Sequence, residues 1–470
     1  MNTHPLRTAR SLRNLTIKQL ADAAKVGIST VWRAEHNYPI NAESRRRLCL
    51  YFNMTSQELG LVSQRNETFL TEPVQTPEQE ALHALLYSSS PSPELISSLG
   101  DRLYASDPVH GEPEFSFEQQ LGAWLVLKGS ALASLFDAGL SLDEVLDSLR
   151  VILCGFQGVP SLMQSKLLHL QGAATPSRKP ASAEERHLLD NALHKSLEEG
   201  WRLYHTARPS QVLVTGQAQL YLVQQVDDMV SSDVRCDLYA GLYNLIGAGY
   251  FFQARYDAAQ RMYKRAHRAA AEGQDNWDLA QNLNWQAIIA SARGLYTEAI
   301  RLIDAALRVT VSENDERFIR LKAHLYAEKA YNAALLQEDM LVDEGLEASE
   351  ALLDDLGPDE EFDRTGWYQK KGICLLSLGN YKKAIDYLQQ SLVQLPTPWV
   401  ARRILTLIPL AEAYARKRER DASIATAEHI AAIIDSVDSI MLNHRFLEYQ
   451  QLLLEIFPYD KRVLSFVTNG

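Results

Sequence analysis

A chain of 470 residues is too long for one compact core, so it implies two or three domains or a repeat array. Its hydrophobic (46%) and charged (23%) fractions are ordinary for a globular protein, no apolar run reaches the roughly 18 residues that cross a bilayer, and four scattered cysteines (Cys49, Cys154, Cys236, Cys374) form no CxxC pair, which argues against a zinc cage or a disulfide framework. The net charge of −12 is uneven: residues 1–62 hold nine Lys/Arg against four Asp/Glu, leaving 38 basic and 55 acidic residues for the rest. A small basic head on an acidic body suits a nucleic-acid-docking module joined to a body with another task. The opening residues carry no apolar segment of a secretory signal, so a reducing cytoplasmic location is expected, without a membrane partner.

The first strong element is "LTIKQLADAAKVGISTVWRAE", Leu15 to Glu35. Thr16-Ile17-Lys18-Gln19 is a capping box: the Thr16 hydroxyl can accept from the Gln19 amide while the Gln19 side chain reaches back. Leu15 and Leu20 take the staple positions around it. A helix is therefore predicted from Ile17 to Ala24, a turn at Lys25-Val26-Gly27, and a second helix from Ile28 to about Glu35. Leu12, Leu48, Leu50, Tyr51 and Leu59 complete the expected core of a five-helix domain over residues 1–63. Asn41 can cap the fourth helix and Asn53 can end it.

This stretch resembles the Xre/phage-repressor helix–turn–helix family over about 55 residues, through Leu6, Arg10, Leu15-Thr16, Leu20-Ala21, Val26, Thr30-Val31, Arg33, Glu35, Pro39 and Leu59. The resemblance implies that Arg10 and Glu35 form a buried ion pair joining the first helix to the end of the recognition helix. It also implies that Ile28, Ser29, Trp32 and Arg33 face bases of double-stranded DNA, and that Arg45, Arg46 and Arg47 contact phosphates. Three positions depart from the pattern. Lys25 stands where a turn glycine is usual, Gly27 replaces the Ser/Thr cap, and Ile17 replaces a phosphate-binding Gln.

Residues 64–77, "QRNETFLTEPVQTP", read as a linker, and residues 78–182 as a helical middle region without a repeat. From 183 to 470 a repeat emerges. "LYNLIGAGYFFQARYDAAQRMYKRA", "NLNWQAIIASARGLYTEAIRLIDAA" and "GWYQKKGICLLSLGNYKKAIDYLQQS" share one register. A small residue (Gly247, Ala287, Gly372) is followed seven later by Ala254, Gly294 or Gly379, then by Tyr256, Tyr296 or Tyr381, then by Ala259, Ala299 or Ala384. Weaker units cover 323–355 and 407–435, residues 188–226 look like a divergent first pair, and a helix at 440–456 caps the end. This resembles the tetratricopeptide repeat, in which small residues let paired helices cross closely.

The expected fold is thus all-α: a helix–turn–helix head, a helical middle and a right-handed tetratricopeptide solenoid. One polar groove position is read as recurring at Asn244, Asn284, His324 and Gln369, with Ser291, Glu328, Tyr331 and Asn332 nearby, a set able to hold an extended peptide. A head of this type on such a body resembles the RRNPP peptide-sensing regulators of bacteria. That resemblance implies a homodimer on DNA whose solenoid binds a peptide or protein signal. The alternative is an interaction scaffold with little specific DNA affinity, which a salt titration separates from the first reading. No P-loop, HExxH or GxSxG is present, and His187, His194 and His205 fit helix faces better than a metal site, so neither an enzyme nor a cofactor is expected.

Overall fold

The computed structural model describes residues 4–13, 15–35, 42–52, 54, 59–61, 140–153, 183–313, 315–354, 356–359 and 362–469; among them every regular element is a helix. The expected linker 64–77, most of the middle region, and the predicted Pro39, Asn41 and Asn53 features lie outside the described residues. The chain divides into two compact units, Met1–Ala84 and Leu85–Gly470.

In the first unit, α1 (Pro5–Leu12), α2 (Ile17–Ala24), α3 (Ile28–Glu35) and α4 (Ala42–Phe52) surround Leu6, Leu20, Val31, Leu48, Phe52 and Leu59, all nearly or fully buried. The capping box closes as the sequence pattern requires: Thr16 N–H donates to Gln19 Oε1 at 2.9 Å and Gln19 N–H to Thr16 Oγ1 at 3.2 Å. Lys25 ends α2 with φ +54°, a left-handed conformation that disfavours a side chain. Arg13 donates to the Tyr51 and Phe52 carbonyls while lying over their rings, which satisfies the open end of α4.

The second unit is an array of helical hairpins: α8 (Ser232–Phe252) with α9 (Tyr256–Gly273), α10 (Asn276–Ala292) with α11 (Tyr296–Val309), α12 (Glu316–Leu335) with α13 (Asp339–Leu353), α14 (Arg364–Ser377) with α15 (Tyr381–Gln394), and α16 (Val400–Arg416) with α17 (Arg420–Ile433). Helices α18 (Ile440–Ile456) and α19 (Lys461–Asn469) follow. One turn geometry serves all five hairpins. Ala254, Gly294, Gln337, Gly379 and Arg418 each adopt positive φ, and the next residue's N–H returns to a carbonyl five positions back, as in Arg255→Tyr250 and Glu338→Ala333.

Counting seven residues back from each turn gives Gly247, Ala287, Ala330, Gly372 and Ala411, all buried; five residues forward gives Ala259, Ala299, Val342, Ala384 and Ser423, also buried. These are the crossing points of each pair. At Gly247 the room is minimal: an added Cβ would lie 2.3 Å from the Tyr263 ring, and at Gly372 it would lie 2.6 Å from Leu388. Where the crossing residue is polar its hydrogen bond is met inside the seam, as in Ser423 Oγ to the Ala411 carbonyl at 2.8 Å. The fold is therefore the tetratricopeptide type, and the less regular third and fifth hairpins share the geometry of the others.

Helix α6 (Ala183–Thr206) and α7 (Pro209–Gln225) precede the array, and α5 (Leu142–Leu153), the described piece of the middle region, packs on both. Arg208 forks onto the Glu144 carboxylate, and Gln211 Nε2 donates to the Glu144 carbonyl at 3.0 Å. This part of the middle region is thus continuous with the array. Residues from α6, α8 and α10 meet at His194, Asp237 and Asp278, where His194 Nε2 lies 2.6 Å from Asp237. Burial, then the adjacent Asp237, pushes the Asp278 carboxyl up to about 9, so it holds a proton at neutral pH. At the far end, Ser439 Oγ donates to the Phe252 carbonyl at 2.8 Å and Gln253 Nε2 to the Asp438 carbonyl at 2.9 Å, tying the first hairpin turn to the start of α18.

Four stability effects follow, all readable by denaturant titration. Gly247→Ala should cost about 1–3 kcal/mol, because Tyr263 has to move in a filled seam. Ala254→Gly and Lys25→Gly should each add about 1 kcal/mol by relieving a left-handed residue with a Cβ. Asp278 has a folded pKa above its unfolded one, so stability falls as pH rises from the ordinary carboxylate range towards about 9. Asp278→Asn should flatten that slope, and an unchanged slope would contradict the assignment.

Candidate functional site

Two regions carry the candidate functional residues. In the head, α3 is fixed by Arg10, whose Nε donates to Glu35 Oε1 and whose Nη2 donates to Oε2 at 2.9 Å; Nη1 continues to the Leu15 carbonyl at 2.8 Å. The Glu35 side chain is 1% exposed and that of Arg10 is 13% exposed, so removing either partner strands a buried charge. Arg47 Nη1 donates to the Lys25 carbonyl at 2.8 Å, holding the turn between α2 and α3 from the side of α4. Arg47 is exposed and Arg45 half-buried. Ile28, Ser29, Trp32 and Arg33 occupy α3, and Arg46 occupies α4; their side chains lie outside the described set.

In the array the anticipated polar ladder takes a different form. Counting back from the common turn puts Ala327, not His324, level with Asn244, Asn284 and Gln369, because Gln337 makes the third turn without a glycine to mark it. Asn244 is buried and its Oδ1 accepts from Asn282 Nδ2 at 2.9 Å, while Asn282 also donates to the Tyr263 carbonyl. Gln369 Nε2 donates to Thr406 Oγ1 at 2.7 Å. These amides join the first helix of one hairpin to the first helix of the next. Sequence reasoning passed over Asn282 and Thr406, because a partner one hairpin away leaves no local spacing signal. Asn284 and Asn332 are buried with their Oδ1 atoms unpartnered, and Ser291 is half-buried.

A charged joint links the third hairpin to the fourth. Lys370 Nζ lies 2.5 Å from Glu328 Oε1 and 5.0 Å from the Tyr331 ring centre, and His324 Nε2 is 3.2 Å from the same carboxylate. The His324 ring stacks on Phe362 at 4.7 Å. Burial alone would raise the Glu328 carboxyl, but Lys370 and His324 override it and hold it at about 2.

The last turn of α6 enters among the first helices of the hairpins. Trp201 stacks on Trp285 at 5.9 Å, Tyr263 on the same indole at 5.7 Å, and Tyr204 meets it edge-on at 6.1 Å. His205 stacks on Trp399 of the turn before α16 at 4.9 Å. The sequence showed the aromatics but not that four separate elements bring them together. His187 bonds Asn191 and His194 bonds Asp237, and among the described residues no group of His, Cys, Asp and Glu could hold a metal ion. No described helix is long and apolar enough to cross a membrane.

No family model matches the chain, and no curated protein matches it. Solved structures similar to it include Cut9–Hcn1 of an APC/C hetero-tetramer (14% identity, 99% of this chain and 95% of that one, TM-score 0.32). A signal-transduction ATPase with numerous domains and a tetratricopeptide-repeat sensor from Pyrococcus horikoshii is 11% identical over 92% of this chain and 72% of that one, TM-score 0.37. The P58(IPK) tetratricopeptide domain is 15% identical over 83% and 97%, TM-score 0.20. At such scores the description of the array stands on its own turns and seams.

Glu328→Gln should destabilise the array by about 3–5 kcal/mol by leaving Lys370 without its counter-charge. Adding Lys370→Met should recover much of that loss in a double-mutant cycle. Because the folded pKa of Glu328 lies below the unfolded one, its contribution is full at neutral pH and is lost as pH falls from the ordinary carboxylate range towards about 2. The variant should lack that acid limb.

Proposed function

We propose that this chain is a DNA-binding transcription regulator that acts as a dimer, and that its hairpin array receives a peptide or protein signal. The observation that carries the first half is the doubly hydrogen-bonded Arg10–Glu35 pair, which locks α3 to α1 within a head whose first 62 residues are net basic. Helix–turn–helix readers need such rigidity: the recognition helix contributes only a few base contacts, and each depends on docking geometry. In this reading Arg33 donates two hydrogen bonds to a guanine edge, Ile28 meets a thymine methyl, Ser29 and Trp32 complete the contact face, and Arg45, Arg46 and Arg47 engage phosphates.

The second half draws on the array. Its first helices carry amides and the Glu328–Lys370 pair, and Trp285 of α10 stacks on Trp201 of α6, a mixture of apolar bulk and polar groups that suits peptide recognition. A guest that prefers one curvature of the array shifts the spacing of two heads by its differential affinity alone. The competing reading is a scaffold whose head has little DNA affinity.

A salt titration tests the proposal. With a random-sequence duplex and the full chain, log affinity should fall steeply with log salt, about 0.9 per phosphate neutralised, and Arg46→Ala should lower the slope by about one. Weak binding with a shallow slope would leave the scaffold reading in its place.

A further inference from the structure

Helix α9 carries a stripe of four cations on a body that is otherwise acidic. Arg261, Lys264, Arg265 and Arg268 are all exposed, and they follow the i, i+3, i+4, i+7 spacing that puts side chains on one helix face. Among the described residues none of the four forms an ion pair; Arg265 lies over the Tyr243 ring at 5.8 Å. Asp257, at the start of the same helix, is taken by Arg293 at 2.6 Å. Arg261–Arg265 and Lys264–Arg268 are like-charge pairs one turn apart, an arrangement that weakens a helix. A stripe that costs its helix stability and has no partner within the described chain points to a partner outside it.

Two hairpins further on, α13 shows the opposite charge. Met340, Asp343, Glu344 and Glu347 repeat the i, i+3, i+4, i+7 spacing, all four are exposed, and α13 contains no Lys or Arg. Asp343, Glu344 and Glu347 form no ion pair among the described residues, whereas Glu350 of the same helix is held by Arg364 at 3.0 Å. Glu344 and Glu347 stand seven and ten places after the left-handed turn residue Gln337, as Arg261 and Lys264 do after Ala254. Between the two stripes α11 is balanced, with two acidic and two basic residues. Its Arg301 pairs with Glu298 at 2.6 Å, and its Asp304 with Lys329 of α12 at 2.8 Å. The second helices of three successive hairpins therefore run from positive through neutral to negative.

We propose that the exposed faces of α9 and α13 are the contact between two copies of this chain, a reading that rests on the dimer proposed above. A two-fold axis at α11 sets α9 of one copy against α13 of the other, twice over, so that one isologous contact neutralises all the stripes. A nucleic acid suits the surface less well, because phosphates that meet the α9 cations would be repelled by the α13 carboxylates. Exposed ion pairs are individually weak, so the stripes act together and select orientation more than they supply affinity. Reversing a stripe acts more strongly than deleting it, since like charges are then brought face to face.

Sedimentation equilibrium on the full chain tests this. The parent should be a dimer at about 50 mM salt, and about 300 mM salt should weaken it on the order of tenfold by screening. One triple variant, Arg261→Glu with Lys264→Glu and Arg268→Glu, makes both stripes acidic; a second, Asp343→Lys with Glu344→Lys and Glu347→Lys, makes both basic. Each alone should associate at least about tenfold more weakly than the parent. An equimolar mixture of the two should pair again as a heterodimer, a gain that misfolding cannot imitate. A monomeric parent would overturn both this surface and the dimer reading. A dimer that survives both reversals would overturn the surface alone, and so would weakened variants whose mixture stays monomeric. Loss of duplex affinity without loss of the dimer in the first variant would make α9 a nucleic-acid contact and refute the proposal.

Discussion

The array depends on how closely two helices of a hairpin can approach. Each crossing is set by one small residue on the first helix, and each reversal by one residue in left-handed geometry seven positions later. Once those two constraints recur about every 40 residues, the remaining large side chains have only the seams and the inner face to fill. The polar joints between neighbouring hairpins, Asn244–Asn282, Glu328–Lys370 and Gln369–Thr406, then fix how one repeat meets the next. Each hairpin contacts mainly its neighbours, and the first is also tied to the start of α18.

The head obeys a different economy. Its core is small, and a buried, doubly hydrogen-bonded ion pair does what a larger apolar core would do elsewhere, orienting α3 relative to α1. Arg47 and Arg13 add side-chain caps to backbone carbonyls at the ends of α2 and α4. Rigid presentation of one helix is what a reader of the major groove requires, and Lys25 in the turn is a local strain that these contacts outweigh.

Much of this was legible in the sequence where signals are local. The capping box, the turn between α2 and α3, and the Gly247/Ala254/Tyr256/Ala259 pattern depend on residues within one or two turns of each other. The third hairpin shows the limit: Gln337 adopts the left-handed turn without the glycine that advertises it, so the register slipped and His324 was set level with Asn244. Long-range pairings were not legible. Nothing near Trp399 in sequence announces that His205, nearly two hundred residues earlier, stacks on its ring, and Asn244 looks like a solvent-facing amide until its partner Asn282 is placed. Polar residues with helical periodicity can line a groove or bridge two repeats, and only the packing of α8 on α10 decides between them.

The proposal that joins the two units is that a guest in the array governs a duplex-reading head. Its most direct test is mapping of the DNA bound by the full chain across the genome of its host, with the parent and with Arg33→Ala. The account predicts a small set of discrete sites in the parent that vanish in the variant while the protein level is unchanged. No enrichment in the parent, or the same sites bound equally by Arg33→Ala, would contradict it.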